Sequence, residues 1–261
     1  MAEAANVDPM HQFSIEPMFG TDHWQIAGYH IPFTNSALWM AVATIGLLVF
    51  VAGGMKRELV PGRWQMAVES MTGFVDSMLA ANIGPNGKKY VPYIFSLFMF
   101  ILSANVFGML PLALIGVHPF TFTSHFSATG VLSIMAFSIV LIVGFWKHGF
   151  HFFSLFVPHG TPLVMIPLIF CIELVSFLVR PFSLGLRLFV AMMAGHVLLE
   201  VLSFFVTNGI NAGLGIGPVV SILSFVLMIA ICALEVLVAA IQAYVFALLT
   251  SLYLNDAENL H

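Results

Sequence analysis

Long apolar runs separated by short polar clusters set the pattern of this chain. The first run covers about residues 34–52 and ends at Gly53-Gly54 and Lys56-Arg57. Residues 63–81 follow another rhythm. There Trp64, Val68, Met71, Val75 and Leu79 recur at helical spacing, with Gln65, Glu69, Thr72 and Asp76 largely on the other side. That pattern predicts an amphipathic helix lying in a membrane interface. Gly84-Pro85-Asn86-Gly87-Lys88-Lys89 reads as a turn. Two further runs cover about residues 91–114 and 129–146, and Lys147-His148 closes the second. Residues 149–162 are aromatic and histidine-rich, so they are expected at the interface.

Two runs remain, at residues 163–206 and 218–254. As continuous helices they would be about 66 Å and 55 Å long. The hydrocarbon core is only about 30 Å thick. Each must break into two spans or tilt steeply. Pro181 marks the natural break in the first, yet its periodicity continues past the proline and no Gly/Asn/Asp cluster follows. The expectation is two continuous, strongly tilted antiparallel helices. Thr207-Asn208-Gly209 and the glycine-rich run to Gly217 would join them.

The fold class is therefore an all-α integral membrane protein with five membrane-crossing helices and one interfacial helix. Residues 1–33 form an acidic tail outside, and residues 34–261 a single transmembrane domain. The tail lacks Lys and Arg, so it does not resemble a cleaved signal peptide. Composition agrees: 60% of residues are hydrophobic and 8% charged, against about 25% charged in soluble domains. No basic cluster exists to hold phosphates, which argues against nucleic-acid binding. Cys171 and Cys232 lie in apolar stretches and read as small core hydrophobes. His148, His151 and His159, like His118 and His125, read as interfacial rather than metal-binding. Lys56, Arg57, Arg63, Lys88, Lys89 and Lys147 mark the cytoplasmic side. With five spans the N-terminus is then outside and the C-terminus, from Asp256 to His261, cytoplasmic.

The long pair holds most of the intramembrane ionisable groups: Glu173, Arg187, His196, Glu200 and Glu235, with Gln242 adding an amide. A guanidinium at mid-bilayer costs roughly 2.5–3.5 kcal/mol on insertion scales. It cannot escape by deprotonating. On a helix Glu173 lies about 21 Å to one side of Arg187 and His196 about 13 Å to the other. Glu173, Ser176, Ser183 and Arg187 share a face, and His196 points the opposite way. In an antiparallel hairpin, residues at one depth keep a constant index sum. Arg187 with Gln242 gives 429 and His196 with Glu235 gives 431, so each pair should be level. A His–Glu pair inside a membrane can relay protons. Two polar half-paths then flank a fixed positive charge, which repels a proton and prevents a leak. A carboxylate on a moving partner would carry the proton past the barrier. Glu200, one turn from His196, and Asn105, Ser176 and Ser183 are weaker candidates for the proton path, and the competing reading of Asn105 is a helix cap or bridge.

Ser183-Leu184-Gly185-Leu186-Arg187-Leu188-Phe189, with Ala194-Gly195-His196, resembles the signature of subunit a of F-type ATP synthases. Leu234-Glu235, Ile241-Gln242-Ala243-Tyr244-Val245-Phe246, Leu249-Thr250 and Tyr253-Leu254 resemble the C-terminal segment of that family. Asn105-Val106-Phe107-Gly108-Met109-Leu110-Pro111 is also similar to it. The resemblance implies a stator subunit of a rotary proton motor in a bacterial inner membrane. Its partners would be a ring of c subunits, peripheral-stalk b subunits and the rest of the ATP synthase, with no cofactor or metal. It implies that Arg187 faces the ring carboxylates, with Gln242 near it. Glu173 would serve the inner half-channel, and His196 and Glu235 the outer one. The acid and the histidine stand as in mitochondrial and alphaproteobacterial members. Many members carry Asn four residues after the arginine, where this chain has Ala191. A competing function is a self-contained secondary transporter or ion channel. Such proteins tend to show internal repeats and helices broken at the midplane, and neither feature is visible in the sequence.

Overall fold

The computed structural model describes Ser14, Gln25–Ile26, Tyr29–His30, Phe152, Phe156 and residues 33–55, 62–109, 121–149, 165–211 and 215–259. Six α-helices follow in order: α1 (Asn35–Gly54), α2 (Arg63–Asn82), α3 (Val91–Met109), α4 (Phe126–His148), α5 (Ile166–Asn211) and α6 (Gly217–Glu258). Five of them, all but α2, are long and apolar enough to cross a membrane. Two short strands, Gln25–Ile26 and Tyr29–His30, pair antiparallel and are an addition to the expected all-α chain. Lys56, Arg57, His118, His151 and His159 lie outside the described residues, as do most of the predicted tail and the end of the run at 110–114.

Helix α1 is apolar all round and begins where the Thr34 side chain accepts from the Ala37 amide. Its inner face, Trp39 and Ala43, packs with Ala104 and Phe122. Gly46 leaves room for the Phe107 ring of α3. The α2 face formed by Val68, Val75, Met78 and Leu79 is buried as the periodicity predicts. Two positions differ. Trp64 stays exposed on the outside of α1, where its Nε1 donates to the Phe50 carbonyl at 2.9 Å. Gln65 is buried, and its amide donates to Glu69 Oε1 at 2.8 Å. A side chain near the start of a helix can fold under its neighbour, which periodicity alone does not register. The predicted turn after α2 is a 3₁₀ helix, Gly84–Tyr90, entered through Gly84 in the left-handed region at φ 80°.

Helix α5 runs without interruption through Pro181. The proline cannot donate to the carbonyl one turn earlier. The helix is also held at this point from outside, where Ser133 Oγ of α4 donates to the Pro181 carbonyl. The expected loop at Thr207-Asn208-Gly209 is instead helical. Thr207 turns its hydroxyl back to the carbonyls of Ser203 at 3.1 Å and Phe204 at 3.0 Å. Gly209 serves packing, since a Cβ there would stand 2.7 Å from the Gly217 carbonyl. Cys171 and Cys232 are exposed on α5 and α6 rather than in the core.

Helix α6 presents Glu235, Ala239, Ala243, Ala247 and Ser251 as one buried row. Small residues at this spacing let backbones approach closely. The main core, from Val75 and Leu79 through Ile94, Ile101, Val140, Leu188 and Met192 to Phe246 and Leu254, fills the space between α2 and α6. At one end of the bundle Glu258, 3% exposed, gathers several donors. Lys89 Nζ lies at 2.9 Å, Tyr90 OH at 2.7 Å and Lys147 Nζ at 2.6 Å from its carboxylate. Lys147 also reaches its carbonyl at 3.0 Å. The 3₁₀ helix before α3, the end of α4 and the end of α6 are thus tied together.

Glu258→Ala removes the shared acceptor and should destabilise the chain by about 1.5–3 kcal/mol, the range for hydrogen bonds to charged groups. Lys89→Met should cost less, because Lys147 remains and both lysines are partly solvated. Thermal inactivation of the detergent-solubilised complex checks this; an unchanged midpoint for Glu258→Ala would refute the tie.

Candidate functional site

The site is built on the crossing of α4 and α5. Gly185 lies against α4, where a Cβ would stand 3.0 Å from the Thr129 carbonyl, 3.2 Å from Ser133 Cβ and 3.3 Å from Gly130 Cα. Leu184 and Leu188 are buried beside it. Arg187, two residues on, points away from this seam and is exposed. Among the described residues it makes no ion pair or hydrogen bond. Ser176 and Ser183, expected on its face, are exposed as well. A permanent cation thus sits on the outer surface of this chain, midway along an apolar helix.

About 13 Å along α5 stands His196. Its Nε2 lies 3.7 Å from Glu235 Oε1, so the predicted pair is brought together. Gly195 makes this possible, because a Cβ there would stand 2.7 Å from Glu235 Oε1. The Glu235 side chain is 3% exposed, and among the described residues neither carboxylate oxygen makes a hydrogen bond. The same His196 Nε2 lies 2.8 Å from Thr121 Oγ1. Asn105 is fully buried and bridges, as one of the two expectations had it: Nδ2 donates to the Ala239 carbonyl at 3.3 Å and Oδ1 accepts from Thr123 Oγ1 at 2.9 Å. Glu200, one turn beyond His196, is half-buried.

On the other side of Arg187 the acid Glu173 is paired rather than free-standing. Arg180 Nη2 lies 3.3 Å from Glu173 Oε1, and Nη1 lies 3.2 Å from Asp256 Oδ2 of α6. The guanidinium also sits over the rings of Tyr253 at 5.1 Å and Phe177 at 5.8 Å. The apolar pattern leaves Arg180 unassigned and places Asp256 in the C-terminal tail. Their signal was available: Arg180 is seven residues from both Glu173 and Arg187, on their face.

These contacts measure the hairpin register. His196–Glu235 gives an index sum of 431 and Arg180–Asp256 gives 436. Ser221 Oγ donates to the Val206 carbonyl at 2.9 Å, which gives 427. The sum is not constant along the hairpin, and at its far end Arg180 reaches Asp256 through a long side chain. Between the first two contacts, the level of Arg187 on α6 falls more than one turn beyond Gln242, toward the C-terminus. Gln242 is half-buried and makes no hydrogen bond to Arg187 among the described residues. Chemically, the arrangement offers a desolvated acid–imidazole pair at one level and an ion-paired acid cluster at another. An uncompensated cation lies between them.

The model of the family described as ATP synthase A chain matches residues 36–255. The chain is similar to the ATP synthase subunit a of Novosphingobium aromaticivorans, 74% identical over 261 residues and covering all of both chains. It is 59% identical to that of Zymomonas mobilis over 269 residues, again across both chains. With that of Rhodospirillum rubrum it shares 44% over 255 residues, 97% of this chain and 99% of the other.

Proposed function

The chain belongs to the ATP synthase A chain family, and we propose that it is the stator subunit of the rotary proton motor, holding two proton half-channels on either side of Arg187. It is a subunit of a larger complex and has no catalysis of its own. The ring of c subunits supplies the moving carboxylates, and peripheral-stalk b subunits hold the stator against the drag of rotation. The complex sits in the bacterial inner membrane. Residues 1–33 and the Thr121–His196 level face outward, and the lysine end, with Lys89, Lys147 and the α6 terminus, faces the cytoplasm.

The exposure of Arg187 carries this reading. A guanidinium that cannot lose its proton is stable on an apolar outer surface only opposite an acidic partner. A solitary transporter would have to supply that acid itself, and among the described residues no carboxylate pairs with Arg187. A ring carboxylate at about 4 Å would be held ionised by about 4 kcal/mol at an effective dielectric of 20. Moving away, it takes a proton from one half-path, and returning, it releases one to the other. His196 with Glu235 serves the outer path. Glu173, with Asp256 and the Arg180 between them, serves the inner one, and Ser176 and Ser183 line the face between Glu173 and Arg187. Gln242 stands near the arginine, and Glu200 and Asn105 support the outer level.

Arg187→Ala should leave the complex assembled and lower ATP-driven proton pumping in inverted vesicles by about a thousandfold, the factor that about 4 kcal/mol represents. Arg187→Lys should fail nearly as badly, because an ammonium can deprotonate and lacks the planar fork. Normal pumping by the lysine variant would sink the proposal.

Exchanging the outer pair is a separate check. His196→Glu and Glu235→His alone each place two like groups within 4 Å and should pump slowly. The double exchange should pump faster than either. Strictly additive effects would mean that the residues act independently.

A further inference from the structure

Thr121 lies outside α5 and α6, yet its side chain reaches the His196–Glu235 pair. It is 6% exposed, and its Oγ1 stands 2.8 Å from His196 Nε2. That nitrogen is the one 3.7 Å from Glu235 Oε1. One ring atom therefore has two oxygens at hand, a hydroxyl in contact and a carboxylate just beyond it.

The position of Thr121 is fixed from several directions. Its carbonyl accepts from the Ser124 amide at 3.0 Å, which opens the 3₁₀ turn Phe122–Ser124. Its side chain fills the space a Cβ on Gly108 of α3 would need. Thr123, two residues on, holds Asn105 of α3, and Asn105 holds the Ala239 carbonyl one turn from Glu235 on α6. Phe122 packs with Trp39 and Ala43 of α1. A segment tied to four helices is more than a loop over the end of the bundle. It sets where α5 and α6 stand at the level of the pair.

We propose that Thr121 is a positioning residue of the outer half-path, whose hydroxyl keeps His196 Nε2 hydrogen-bonded in both charge states of the imidazole. This rests on the reading of His196 and Glu235 given above. A hydroxyl both donates and accepts. With the proton on Nδ1, Nε2 is an acceptor and the Thr121 O–H donates to it. When a proton moves from the Glu235 carboxyl to His196, an O–H bond breaks and an Nε2–H bond forms. A carboxylate and an imidazolium remain, and the hydroxyl rotates to accept. No proton passes through Thr121 itself. Without the hydroxyl, Nε2 is left unpaired in apolar surroundings in one of the two states, and an unpaired buried polar atom is costly.

The test uses the whole complex in inverted membrane vesicles, with ATP-driven pumping normalised to assembled complex. Thr121→Val keeps the volume and loses the hydroxyl, and Thr121→Ala relieves any packing demand. Both should pump about tenfold more slowly, the factor expected for one lost hydrogen bond to a charged group. Thr121→Ser restores the hydroxyl and should pump within about twofold of the parent protein. Either apolar variant pumping at the parent rate, or the serine variant as slow as they are, overturns the proposal. Failure of both apolar variants to assemble also overturns it, because the hydroxyl would then be structural. His196→Ala in the same vesicles separates the two layers. Normal pumping there means that the half-path reading fails. Abolished pumping there, with Thr121→Val normal, means that only the role of Thr121 fails.

Discussion

An arginine that cannot shed its charge, carried mid-way along a helix in an apolar chain, is the constraint around which the rest of this structure is arranged. The charge is displayed rather than buried, and no described residue of this chain pairs with it. The backbone beneath it therefore has to be rigid. The seam at Gly185 supplies that rigidity, bringing α5 onto α4 backbone to backbone two residues from Arg187. Helix continuity through Pro181 has the same consequence. A break there would uncouple the arginine from Arg180 two turns earlier and from Glu173 about four turns earlier.

The hairpin of α5 and α6 converts this fixed point into a graded series of levels. Because the helices are antiparallel and held by close contacts, each polar residue on one faces a definite depth on the other. The Ser221–Val206 hydrogen bond sets the register near the connection, and the Arg180–Asp256 ion pair sets it near the far end. His196 and Glu235 fall between, where Gly195 and the small-residue row of α6 leave room for a carboxylate between two helices. The row matters more than any one contact. A larger side chain at Ala239 or Ala243 would push α6 from α3 and α5, and every level would shift with it.

Much of this was legible in the sequence, and the pattern explains which parts. Helix number and extent follow from apolar run length, so α1, α4, α5 and α6 stand close to their predicted limits. The pairing of His196 with Glu235 follows from index arithmetic, which works because both helices are regular. The arithmetic is weaker for Gln242, since the contacts along the hairpin do not share one sum. The loop at Thr207 was misread because Gly and Asn mark turns in water, whereas here hydroxyl back-bonding carries the helix past them. Arg180 and Asp256 escaped notice for one reason. Near a proline and near a chain end, charges look like boundary residues, and only the fold shows that the two boundaries meet. Thr121 gave no periodic signal at all, because its neighbours are set by a 3₁₀ turn.

The two buried acids of α6 show how partnering separates tasks within one helix. Glu258 and Glu235 are almost equally buried, at 3% and 4% exposure. Glu258 has two ammonium groups and a phenol on its carboxylate. Its negative charge is compensated several times over, so changing that charge would break every one of those contacts together. Such a group is suited to holding helices in place. Glu235 has an imidazole just beyond hydrogen-bond distance and no hydrogen bond among the described residues. Nothing described there fixes its charge, and its nearest partner, histidine, is the side chain best able to change its own. The difference does not arise from depth or from residue type. It arises from what the neighbouring elements bring to each carboxylate, lysines from the 3₁₀ helix before α3 and from α4 at one end and a histidine from α5 at the other. The carboxylate of Glu235 is left without donors, and the cost of leaving it unsatisfied is tolerable because α6 is anchored elsewhere along its length.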